Sequence, residues 1–199
     1  MNRKICCAGL IALVVMTMAG CNKKEESFEE SIISIDKKGR VSESIVESFG
    51  KEYYDANELS MAFGAAIDSY NATSGKDSAT LASLEVKDNK VYASLKYDDY
   101  MAYEGVQGAT LFVGTIKEAS EAGYNMDVTL KGTEAGDKIS RVQIMGMKDK
   151  HIIILDEAVK VKVYEPIAYV SANVEVIGNN EARVTSEYGA GLAYIVLKK

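Results

Sequence analysis

Two rhythms of apolar positions run along this chain. The first is helical. Leu59, Ala62, Phe63, Ala66, Ile67 and Tyr70 recur at i, i+3, i+4, i+7, i+8 and i+11, one stripe that must bury against another element. Asp55 stands before the stripe as an N-cap, Glu58 follows at capping-box spacing, and Gly75 with its polar neighbours closes the segment. The pattern predicts a main amphipathic helix over about 55–71, packed on a sheet. Thr115 with Glu118 repeats the capping-box spacing and predicts a short helix over about 115–122, stopped by Gly123.

The second rhythm is that of strands. "SIISID" and "RVSESIVESF" flank the turn "DKKG", with Gly39 suited to a left-handed position, and "TLASLEV" and "KVYASLKY" flank Asp88-Asn89. "TLFVG" is a further short strand. From Asn125 onward "MDVTLKG", "KISRVQIMG", "HIIILD", "VKVKVYEP", "AYVSANVEVIG", "EARVTSE" and "LAYIVLKK" all read as strands between Gly, Asn or Asp turns. The expectation is an α+β domain over 31–199. Its sheet is mostly antiparallel, its helices lie in the first half, and its strand-rich C-terminal half forms an antiparallel meander.

The N-terminus follows neither rhythm. Arg3 and Lys4 precede Ile5 to Val15, an uncharged and mostly apolar run. That run suits a signal-peptide core and falls short of the roughly 20 residues that span a bilayer. Ala19, Gly20 and Cys21 follow, and then the charged stretch "NKKEESFEE". This order of positive charge, apolar core, small residues and Cys resembles the lipobox of bacterial lipoproteins. Met18 stands where that family usually has Leu, a change between apolar side chains of similar size. The resemblance implies removal of residues 1–20 as a signal peptide and attachment of a diacylglyceryl group to the Cys21 thiol. The new N-terminus is then open to acylation. Residues 21–30 are then the lipidated Cys and a tether of high charge and no apolar period. Its nine residues after Cys21 reach roughly 30 Å when fully extended. In layout the chain also resembles small lipoproteins of Gram-positive anaerobes, a likeness specific over residues 1–21 alone and bringing no activity with it.

Cysteine use and charge follow from that reading. Cys6 and Cys7 leave with the signal peptide and Cys21 becomes a thioether, so the three cysteines of the chain leave no free thiol and no disulfide. Redox exchange and Cys nucleophiles are thereby excluded. Removing Arg3 and Lys4 lowers Lys plus Arg from 23 to 21 against 29 acids, a net charge of −8. An acidic domain argues against nucleic acid as partner and against an electrostatic grip on anionic lipid. The membrane contact is then the covalent lipid on Cys21.

Candidate chemistry is sparse. The single His, His151, begins "HIIIL"; with no cysteine left it builds no typical zinc site, and it reads as a strand-end residue beside a turn. Gly189-Ala190-Gly191 is a lone GxG between strands and reads as a bulge or turn. Asp156-Glu157 is an adjacent carboxylate pair that reads as a turn, since glycosidase carboxylates must face each other across a cleft. The most unusual segment is "YDDYMAYE", with Tyr97, Tyr100 and Tyr103 among Asp98, Asp99 and Glu104. As a helical turn it would set the three tyrosines on one face, an acidic, Tyr-lined patch for a cationic group, a sugar or a basic peptide. The competing reading is that Asp98 or Asp99 caps a short helix and the tyrosine rings pack on the sheet. The absence of Trp weakens the sugar reading. "EYYDANE" has a similar composition, but its Asp55 already serves as a cap.

The resulting expectation is a lipid-anchored extracytoplasmic protein of the cell membrane that is not an enzyme. It acts by binding or scaffolding toward a protein or envelope ligand, with no metal and no cofactor. The alternatives are a solute-binding lipoprotein of a transporter, which would show two lobes about a cleft, and a carboxylate-based envelope enzyme, which would show converging acids with a perturbed carboxyl in a pocket.

Overall fold

The structure, a computed structural model, describes residues 29–134, 136–185 and 191–199. The expected signal segment, Cys21, residues 22–28 of the expected tether, and Gly189-Ala190 lie outside the described residues. Strands β1 (Ile32–Ile35) and β2 (Val41–Ser48) form the opening hairpin. Gly39 sits in its turn at φ 76°, a left-handed position where a Cβ is strained. Helix α1 (Ala56–Ser74) starts where Asp55 Oδ1 accepts from the backbone N–H groups of Asn57 (2.7 Å) and Glu58 (3.1 Å). It ends at Gly75, φ 71°. Strands β3 (Ala79–Lys87) and β4 (Lys90–Tyr97) are joined by Asp88 and Asn89, both at positive φ, the two-residue turn that matches strand twist.

Helix α2 (Tyr100–Gln107) follows, capped by Asp99, whose Oδ1 accepts from Ala102 N at 2.9 Å. Strand β5 (Leu111–Thr115) leads into α3 (Ile116–Glu121), and the expected Thr115–Glu118 capping box is formed. Then come β6 (Leu130–Gly132), β7 (Lys138–Ile139), α4 (Arg141–Gly146), β8 (His151–Leu155), β9 (Lys160–Lys162), β10 (Ile167–Val170), β11 (Val174–Gly178), β12 (Glu181–Val184) and β13 (Ala193–Leu197). The fold is α+β and strand-rich, with the main helix and the short α3 where the apolar and capping patterns put them.

Two expectations are corrected. "KISRVQIMG" is not one strand. Ser140 N and Oγ both donate to the Gln143 side chain (3.1 and 2.8 Å), and this S-x-x-Q cap turns the segment into α4 after only two residues of β7. Nor is the C-terminal half a meander. Its strands are divided between a seven-stranded sheet, β11-β12-β9-β1-β2-β4-β3, and a six-stranded sheet, β5-β8-β13-β10-β6-β7. The N-terminal β1 inserts beside β9 in parallel, Ile32 opposite Lys160 and Ser34 opposite Lys162, while the other pairings are antiparallel.

Period-two alternation explains the layers. In β8 and β13, Ile153, Leu155, Ala193, Ile195 and Leu197 join Ile33, Ile35, Leu95 and Val161 of the larger sheet in one core between the sheets. Their neighbours Ile152, Ile154, Tyr194 and Val196 point the other way and join Ile116, Ala119 and Ile144 under α3 and α4. At its central strands β8 and β13 the six-stranded sheet is buried on both faces, which is why those two are nearly continuous apolar runs. The outer face of the larger sheet carries Ser42, Lys96 and Lys162, all exposed.

Helices α1 and α2 close one flank of the inter-sheet core. The Asn71 side chain accepts from Ser78 N and Ala79 N (2.9 and 3.0 Å) and donates to Ala79 O (2.9 Å), fixing the end of α1 to the start of β3. The Tyr70 ring lies against Gly105 of α2, where a Cβ would run into it. The expected stripe is only partly covered. Ile67 is buried, Leu59, Phe63, Ala66 and Tyr70 are half-buried, and Ala62 is exposed. Phe63→Ala is therefore expected to cost about 2 kcal/mol, below the roughly 3–5 kcal/mol of a fully buried Phe. A urea denaturation series checks it. A cost as large as that of a buried Phe would mean that α1 packs more deeply than this arrangement allows.

Candidate functional site

The six candidate residues within "YDDYMAYE" do not share a surface. Tyr97 ends β4, opposite Val41, and so lies outside the helix that carries Tyr100 and Tyr103. The strand phase turns Tyr97 inward, and the first turn of α2 turns Tyr103 inward to meet it. Tyr97 is 2% exposed and Tyr103 0%, and their rings meet edge-to-face with centroids 5.3 Å apart. Tyr100 is half-buried and tilts against Phe112 at 5.2 Å. Asp99 is spent on the cap, Glu104 Oε1 accepts from Leu111 N at 3.1 Å, and Asp98 alone of the three acids is exposed. Of the two readings of this segment, the geometry is that of a capped helix with tyrosine rings packed inward.

These tyrosines do converge on polar groups, of which the sequence pattern singled out Glu157 alone, and that as part of a turn. Tyr97 donates from its hydroxyl to Glu43 Oε2 at 2.8 Å. Gln107 Nε2 donates to the same oxygen at 2.7 Å and to the Tyr97 hydroxyl at 2.8 Å. Tyr103 donates to the Glu157 carboxylate. A signal for Glu43 was present: in "VSESI" it takes the inward phase shared by Val41 and Ile45. Glu157, read as part of a turn pair, leaves the end of β8 to meet α2. Its neighbour Asp156 accepts from Thr110 N at 3.0 Å.

Burial pushes the Glu43 carboxyl above the usual carboxylate range, the donors Tyr97 and Gln107 pull it back, and the nearby charge of Glu157 raises it further. Tyr97 and Tyr103 are held far above the ordinary phenol range, first by burial. The Glu43 charge adds to this for Tyr97, and the hydrogen bond to Glu157 for Tyr103. Both phenols therefore remain donors at any ordinary pH. A carboxyl raised by folding binds its proton more tightly in the native state. Stability contributed by that proton is present in acid and is lost as pH rises from the unfolded value near 4.5 through the raised folded value. Glu43→Gln keeps an acceptor for Tyr97 and removes the ionisation. The variant is expected to lose this slope and to melt at or above the wild-type temperature at neutral pH. Thermal melts at several pH values check both points, and an unchanged slope would place the titration elsewhere.

His151 stands at the start of β8, its Nδ1 2.7 Å from the Tyr164 hydroxyl, a strand-end pairing. Among the described residues no group of three His, Cys, Asp or Glu side chains is placed to hold a metal ion.

The exposed aromatic cluster lies instead in the stretch that the sequence pattern set aside. Asp55 caps α1, but the residues before it face solvent, Tyr53 at 73% exposure and Tyr54 at 38%. Phe49 stacks on Tyr54 at 4.9 Å, Tyr53 meets Tyr54 edge-on at 4.9 Å, and Lys51 Nζ lies 5.6 Å from both tyrosine centroids. Phe49 N donates to Asn89 O at 2.7 Å, which ties this tip to the β3–β4 turn. Beside it an open groove is lined by Glu29, Val46, Glu85, Lys87, Lys90 and Tyr92. Comparison of the chain with protein-family models, curated proteins and solved structures gives no match.

Proposed function

We propose that this chain is a lipid-anchored protein of the extracytoplasmic face of the cell membrane, attached through Cys21, and that its domain acts by binding or scaffolding in the envelope. The observation that carries the reading is Ala19-Gly20-Cys21 at the end of an apolar run of signal-core length. The start of the fold is consistent with it. Glu30 is held by Arg183 at 2.8 Å and lies 3.8 Å from Lys160, so the domain grips the chain nine residues after Cys21. The eight residues between reach roughly 27 Å at most, which keeps the domain beside the bilayer.

Two features support a binding domain over the alternatives. A continuous core runs between the two sheets, whereas a transport receptor is built of two lobes about a cleft. Glu43 and Glu157 do approach each other, as a carboxylate enzyme would need, but each accepts from a buried phenol, Glu43 from Tyr97 and Glu157 from Tyr103, and Tyr103 has no exposure. The test is metabolic labelling of the wild-type chain with a palmitate analogue, followed by detergent partition and mass analysis of its N-terminus. Label, detergent partition and a first residue at Cys21 are expected. An unlabelled chain that retains residues 1–20 overturns the reading.

A further inference from the structure

We infer that the tip formed by Phe49, Lys51, Tyr53 and Tyr54 is a membrane-contact surface that rests at the headgroup level of the bilayer to which the chain is tethered. The inference builds on the anchoring of Cys21 proposed above and adds an orientation to it. Strand register supplies the direction. β1 pairs antiparallel with β2, Ile35 opposite Val41 and Ile32 opposite Ser44. Followed backward from Ile32, the chain therefore runs along β2 toward Ser48. Ser31 continues that course, its Oγ accepting from Val46 N at 2.9 Å and donating to Val46 O at 3.3 Å. Glu29 lines the groove beside Lys87 and Lys90, at the same end of the sheet. Phe49 follows Ser48 directly. The chain thus enters the domain at the end that carries the aromatic tip, and the tether draws that end toward the bilayer, with the Asp36–Arg40 turn facing away.

The chemistry of the tip suits the place. Tyrosine has an apolar ring and a polar hydroxyl, and lysine an apolar stem and a charged head, so both are favoured where hydrocarbon gives way to headgroups. Tyr53, at 73% exposure, gives its ring to no core of this domain. Lys51, Lys87 and Lys90 stand there among Glu29, Glu47, Glu52, Glu85 and Asp88, so this end keeps a net negative charge and its contact with the bilayer rests on the aromatic rings and not on attraction to anionic lipid. Lipid and tip together act as two linked contacts, the first raising the local concentration of the second.

The test uses the lipidated full chain in phosphatidylcholine–phosphatidylglycerol vesicles. A nitroxide is placed on Glu52→Cys, which leaves both tyrosines intact, or on Lys38→Cys in the opposite turn as reference. The ratio of oxygen to nickel-chelate accessibility is expected to be several-fold higher at position 52 than at position 38. Adding Tyr53→Ser and Tyr54→Ser is expected to bring position 52 down to the reference, with palmitate labelling unchanged. A lipidated, vesicle-bound chain with equal ratios at the two positions overturns the membrane contact and leaves the anchor standing. Dipolar broadening between labels at position 52 overturns it in favour of contact between copies. An unlipidated chain that does not bind vesicles overturns both readings.

Discussion

On the proposed anchoring, Cys21→Ser is expected to turn a membrane-attached protein into one that is soluble or unprocessed. The reason is chemical. The diacylglyceryl group joins through a thioether, and a serine hydroxyl does not replace the thiolate in that transfer. The magnitude follows from chain number. Each buried methylene contributes roughly 0.8 kcal/mol, one acyl chain holds only marginally, and a diacylglyceryl group supplies two. No helix among the described residues is long and apolar enough to cross a membrane, so nothing in those helices substitutes for the lipid. Incorporation of the palmitate analogue is expected to fall to background in the variant, and detergent partition to be lost. The aromatic tip alone is too small a contact to retain the chain. A Cys21→Ser protein that still labels and still partitions into detergent would show that the anchor is elsewhere, and the meaning given to Ala19-Gly20-Cys21 would fall with it.

What could be read in the sequence was local. Asp55 and the Thr115–Glu118 pair mark helix starts because a cap is chemistry between near neighbours, and Asp88-Asn89 marks a turn because both residues tolerate positive φ. The same logic was available for Ser140 and Gln143. It lost to the apolar residues Val142 and Ile144, whose alternation also fits a strand. Long-range pairing was not legible. Nothing local to Ile32–Ser34 or Lys160–Lys162 announces that they lie side by side in parallel, since that pairing is decided by how two sheets share their strands.

The tyrosines are ambiguous for a related reason. A phenol ring suits both core and surface, so composition did not distinguish buried Tyr97 and Tyr103 from exposed Tyr53 and Tyr54. Strand phase did hold the answer for one of them. Leu95 and Tyr97 share a face of β4, and their partners Glu43 and Val41 on β2 point to that same face, which puts phenol and carboxylate into the same interior.

The largest loss of stability is expected in β13, from Ile195→Ala and Val196→Ala taken as a pair. β13 lies between β8 and β10, with Ile195 opposite Ile153 on one side and Val170 on the other. Both Ile195 and Val196 are 0% exposed, and adjacent strand residues point to opposite faces. Ile195 belongs to the core between the two sheets, Val196 to the core beneath α3 and α4. Truncating a buried Ile to Ala costs roughly 2–5 kcal/mol, and the smaller Val change roughly 2 kcal/mol. Against a typical native stability of roughly 5–15 kcal/mol the first loss is a large share. In a domain of this size Ile195→Ala should lower the melting temperature by roughly 5–15 °C. Val142→Ala at 82% exposure is the control, expected within about 0.5 kcal/mol of wild type. The pair tests the architecture as well as the residues. A sheet with one wet face would make one of the two substitutions nearly silent, because one of two adjacent side chains would face water. Substantial losses at both positions require a sheet covered on both faces, by a second sheet and by helices. A silent Val196→Ala beside a costly Ile195→Ala would remove the α3–α4 layer from the fold.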